Sequence, residues 1–81
     1  MTYKPSKTEP TSVRTGDRGW EACFGEFVAV SQDQDSATGG WDGPRVRTRH
    51  CADLPYGLAR DMCVRILAAC DYAEKHDRRK K

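Results

Sequence analysis

Two hydrophobic periods run along this chain. Across residues 20–30 the period is two: Trp20, Ala22, Phe24, Val28 and Val30 share one face. Aromatic and β-branched side chains at that spacing predict a strand. Glu26 interrupts the face, and Glu21, Cys23, Gly25, Phe27 and Ala29 make up the other one. A glycine in mid-strand, Gly25, points to a bulge or a close backbone approach. Residues 45–51 alternate again, with Arg45, Arg47 and Arg49 on one side and Val46, Thr48 and His50 on the other. This predicts a second strand with a basic outer face.

The second period is helical. At about 100° per residue, Leu58, Ala59, Met62, Cys63, Ile66, Ala69, Cys70 and Ala73 gather on one side, with Ile66 near the centre. Asp53 and Pro55 form a helix entry, since proline is tolerated in the first turn. Asp61 with Arg65 and Asp71 with Lys75 stand four apart in the favourable order. The predicted helix covers residues 55–75.

The remaining segments lack either period. Residues 1–19 hold Pro5, Pro10, Gly16 and Gly19 among polar side chains, too little apolar surface to offset ordering entropy. They are expected to form a flexible N-terminal arm, with a short edge strand over residues 11–15 as the alternative. Residues 31–44 are loop-forming almost throughout and exceed a tight hairpin. A basic tail occupies residues 76–81. The expected domain is therefore strand, loop, strand and helix over residues 20–75. Its class is α+β: a small antiparallel sheet of two or three strands with one C-terminal helix on its apolar face. Two strands alone are marginal, so the arm or a second copy must complete the core.

Composition narrows this picture. Eighty-one residues allow one domain, and a charged share of 32% leaves little for a core around a deep cleft. No run approaches the ~18 apolar residues of a membrane helix. No apolar stretch follows Lys4, so a signal peptide is not expected, and a reducing cytoplasm is the expected compartment. The formal charge of +2 is unevenly spread: residues 1–20 carry +2, residues 21–44 carry −5 and residues 45–81 carry +5. Such separation steers partners more strongly than the small net charge suggests.

The candidate chemistry is thin. Cys23, Cys51, Cys63 and Cys70 are separated by 28, 12 and 7 positions, without the close pairs of strong zinc sites. Buried hydrophobic cysteines are the expectation, with zinc and a disulfide as lesser alternatives. Neighbours on a strand point to opposite faces, so His50 is not placed to activate Cys51. Counted from Asp33, the acidic loop has Ala37, Thr38 and Pro44 where a calcium loop needs an oxygen ligand, glycine and glutamate. No phosphate-binding glycine loop is present, and no cofactor or metal is implied.

Docking features are better represented. Arg45, Arg47 and Arg49 suit carboxylate or phosphate forks. Trp41, on a loop with Gly40 before it and Gly43 after it, is either a partner-binding anchor or folds back onto the core. Val64, Ala68 and Tyr72 form a row opposite the expected core face and mark a candidate homodimer surface. With no catalytic set, the expected function is a non-enzymatic binding module that docks on a protein partner. Small chains of this kind commonly act as regulators or inhibitors in bacteria and their phages, antitoxin-like or defence-blocking. The alternative is nucleic-acid binding through the three strand arginines with Arg78, Arg79, Lys80 and Lys81. A small zinc protein is a weaker third.

Overall fold

A computed structural model describes residues 8–49 and 53–79. Four strands and one helix follow in chain order: β1 (Ser12–Gly16), β2 (Gly19–Cys23), β3 (Val28–Asp33), β4 (Arg45–Thr48) and α1 (Tyr56–His76). The strands form one antiparallel sheet in the order β1-β2-β3-β4. The class is α+β, with four strands rather than two or three.

The four strands arise in two ways: the edge-strand alternative within the arm is realised, and the segment read as one strand is two. Within the expected arm, Ser12–Gly16 pairs along β2 from Ser12 opposite Cys23 to Gly16 opposite Gly19. Its residues are all exposed, which explains the weak apolar signal. The segment read as one strand, residues 20–30, is a hairpin. The backbone reverses at Gly25, whose φ is +82°, and the Phe24 N–H closes the turn on the Val28 carbonyl at 2.8 Å. Only glycine enters that region without strain. A Cβ there would also lie 2.8 Å from the Arg65 guanidinium. The apolar face survives the reversal because the register sets Ala22 opposite Val30.

Alternation gives the sheet two unlike faces. On one, the register lines up Val13, Ala22, Val30 and Val46 across all four strands. The helix packs on this side, against β3 and β4. Trp20, Ala22, Phe24, Val28, Val30, Ala68 and Ala69 form the buried cluster, with Phe27, Val46, Ile66, Tyr72 and Ala73 packed around it. Tyr72 joins the layers, its ring 5.4 Å from Trp20 and 6.0 Å from Phe24, and it stacks on His76 at 4.1 Å. Among the described residues no helix lies over the opposite face.

The helix boundaries match the sequence pattern within one residue, but its buried face is turned by about 70° from the expected arc. Met62, Ala68 and Ala69 are buried, whereas Cys63 and Cys70 are exposed. Trp20 and Phe24 draw Tyr72 inward, and the small Ala68 and Ala69 let the helix approach the sheet. The proposed row of Val64, Ala68 and Tyr72 is thereby corrected. Ala68 is 3% exposed and Tyr72 packs on the core, so only Val64 points outward. The expectation of buried cysteines fails equally for Cys63 and Cys70, and Cys51 lies outside the described residues. The Asp61–Arg65 pair forms as expected, at 2.8 Å.

Phe24 is fully buried between the sheet and Tyr72. Phe24→Ala should destabilise the fold by about 3–5 kcal/mol, through lost burial plus the cavity left behind. Ile66→Ala, at a position only partly buried, should cost less. Equal thermal shifts for the two variants would contradict this core.

Candidate functional site

The helix-free face of the sheet brings together charged side chains from all four strands. By register, Arg14, Glu21, Ser31 and Arg45 lie side by side across the four strands. Gly16, Gly19 and Asp33 form the next row, and Cys23, Ala29 and Arg47 lie on the other side. Glycine, serine, cysteine and alanine share the middle strands with Glu21 and Asp33, while arginines stand on both edge strands. The result is a shallow depression of about 760 Å³, lined by Arg14, Arg18, Glu21, Asp33, Arg45 and Arg47 together with the glycines between them. A second hollow adjoins it beside the Gly25 turn, where Arg47 and Arg49 meet Glu21 and Glu26.

The arginines differ in how they are engaged. Arg47 forms an ion pair with Glu21 across the open face. The side chains of Arg14, Arg18 and Arg45 have no hydrogen-bonded or ionic partner among the described residues. Three free guanidinium groups therefore surround one internally paired site, with Asp33 the other acidic group in the main depression. Guanidinium forks of this kind suit carboxylates and other oxyanions. The alternation that marked Arg45, Arg47 and Arg49 in β4 holds for Arg45 and Arg47. Arg49 lies past the strand end, its backbone N–H bonded to the Phe27 carbonyl at 2.8 Å. Arg14 and Arg18 were missed because their segment was assigned to the arm. The alternation of Ser12, Arg14 and Gly16 against Val13 and Thr15 was the available signal.

The remaining candidates turn inward. Trp41 is half-buried, bridged to Gln34 and capped by the Arg78 guanidinium 4.8 Å from its ring centroid. Of the two readings offered for Trp41, the structure shows the loop folded back. Arg78 also donates to the Gly16 carbonyl at 2.9 Å. Arg79 pairs with Asp77 at 2.9 Å. These two tail arginines, assigned to a possible nucleic-acid contact surface, make contacts within the fold. Lys80 and Lys81 lie outside the described residues.

The reason is a buried polar junction around Gln32, which is 1% exposed. Its Oε1 accepts from Trp20 Nε1 and from the Arg78 backbone N–H, both at 2.9 Å. Its Nε2 donates to the Asp42 carbonyl at 2.8 Å and to Asp77 Oδ1 at 2.9 Å. Asp77 is itself buried. The Arg79 side chain and backbone N–H, with Gln32 behind them, hold its carboxyl well below the usual carboxylate range. Among the described residues no group of three or more histidine, cysteine or acidic side chains could hold a metal ion. His50 and Cys51, candidates for the zinc alternative, lie outside those residues.

The junction has an acid signature. Because the folded-state pKa of Asp77 lies below its ordinary value of 3.8, its contribution to stability is present above that value. It is lost as pH falls toward the folded-state value. The melting temperature of the parent should therefore converge on that of Asp77→Asn as acidity increases past 3.8. A gap that stays constant across this range would remove the carboxylate from the account. Comparison with family models, with curated proteins and with solved structures finds no match to this chain.

Proposed function

We propose that this protein is a small non-enzymatic binding module, a regulator or inhibitor, that docks on an acidic protein surface. The docking face is the helix-free side of its sheet. One observation carries the proposal: among the described residues, Arg14, Arg18 and Arg45 stand without partners around a shallow depression whose one further arginine, Arg47, is already paired. A planar guanidinium fork loses less freedom per hydrogen bond formed than a flexible ammonium, and it adds geometric specificity. A wide, shallow hollow suits a protein surface better than a small substrate, which favours concave and largely apolar sites. An antitoxin-like or defence-blocking role, by occupation of a partner's acidic site, fits this chemistry.

Nucleic acid remains the second reading, on the same arginines. Among the described residues, the paired rows of the open face hold no aromatic side chain on which a base could stack, so such a contact would run through phosphates and depend steeply on salt.

Both readings meet in one experiment. Arg14→Glu combined with Arg45→Glu changes only exposed positions and should leave the circular dichroism spectrum intact. Pull-downs with the parent and the double variant, read by mass spectrometry, should lose at least one protein partner in the variant. Gel shifts against duplex and single strands at low salt cover the alternative. An identical set of captured proteins from both forms would overturn the proposed docking face. A salt-sensitive gel shift abolished by the double variant would move the assignment to nucleic acid.

A further inference from the structure

The outer face of α1 is apolar where a surface helix is ordinarily polar. Cys63, Val64, Leu67 and Cys70 are all exposed, with Val64 at 49% and Leu67 at 46%. Tyr56, Arg60, Cys63, Leu67, Cys70 and Glu74 follow one another at alternating steps of four and three residues, the spacing of a coiled-coil seam. At about 100° per residue this seam is centred on Leu67 and lies opposite the face that meets the sheet. It is therefore a second apolar stripe beyond what the intramolecular core uses.

The charges at its ends indicate what covers it. Arg60 stands seven residues before Leu67 and Glu74 seven residues after it. Both are exposed; Arg60 leans over the Tyr56 ring at 5.7 Å, and neither forms an ion pair within the described residues. A surface that joins to itself about a two-fold axis must be self-complementary, each residue meeting its opposite number. An antiparallel crossing centred on Leu67 meets that condition. Leu67 packs on Leu67 of the second copy, Val64 faces Cys70, and Arg60 faces Glu74 at both ends. A parallel crossing would instead set Arg60 against Arg60 and Glu74 against Glu74.

We infer that α1 pairs with α1 of a second copy of this chain, antiparallel and centred on Leu67, through the stripe of Cys63, Val64, Leu67 and Cys70 with Arg60–Glu74 pairs at its ends. The assembly is four layers deep: sheet, helix, helix, sheet. Both arginine-bearing faces stay outermost and point away from each other. Such a dimer presents two copies of the open face, and simultaneous engagement would raise avidity without any new contact. The inference does not depend on what that face binds.

Sedimentation across a concentration series tests it with the whole chain. The parent should sediment as a dimer that dissociates on dilution. Leu67→Glu, an exposed position, should keep the helical spectrum and weaken dimerisation at least ~30-fold, the scale of an interface hot spot. Arg60→Glu and Glu74→Arg should each weaken it, and the two together should restore it, because the swapped charges meet again across the two-fold axis. A parent that stays monomeric at every concentration overturns the inference, including the case where it gains mass only when a foreign chain is added. So does a dimer indifferent to Leu67→Glu. Failure of the double swap to restore the dimer overturns the antiparallel crossing. Arg14→Glu with Arg45→Glu should leave the dimer intact, which separates this result from the docking test.

Discussion

Gln32 is the junction on which the rest of the structure depends. Its amide has two acceptor and two donor positions, and all four are used. The partners come from β2, from the long loop and from the segment after α1, which are distant in sequence. A buried amide with every position filled rigidifies its surroundings, whereas a half-satisfied one would oppose folding. The single side chain thus fixes where the helix ends, where the loop returns and where Trp20 sits. The same junction explains why Arg78 and Arg79 are drawn into the fold.

One helix cannot cover a four-stranded sheet on both sides. This constraint shapes everything outward-facing. The side with Ala22, Val28 and Val30 takes the helix, and the other side keeps small residues between arginine-bearing strands. On the sheet, the uncovered area is charged and suits docking. On the helix, the uncovered stripe is apolar and suits a second copy. The two surfaces lie on opposite sides of the molecule, so the proposed docking and the proposed dimer do not obstruct each other.

Much of the core was legible in sequence because period two is local. Trp20, Ala22, Phe24, Val28 and Val30 kept their shared face even though the chain reverses between Phe24 and Val28. The reversal hid behind that continuity, and a positive φ at Gly25 leaves no mark on hydrophobic spacing. The basic face of β4 was legible for the same local reason. Its neighbours Arg14 and Arg18 were not, because an edge strand with no buried residue carries no apolar signal.

Sequence alone determined that this chain is a small α+β unit, where its helix runs and which strand residues face inward. Each follows from spacing over a few residues and from proline and glycine at segment ends. Tertiary structure decided the rotation of the helix. Apolar residues lie nearly all round α1, so its own periodicity did not choose a face. Trp20 and Phe24 chose it by packing on Tyr72, with Ala68 and Ala69 allowing close approach. That choice buried two of the three residues first assigned to a dimer surface and turned Cys63, Leu67 and Cys70 outward. The four strands follow from the reversal at Gly25, which divides residues 20–30 between β2 and β3, and from pairing to β2, which realises the edge strand offered for residues 11–15.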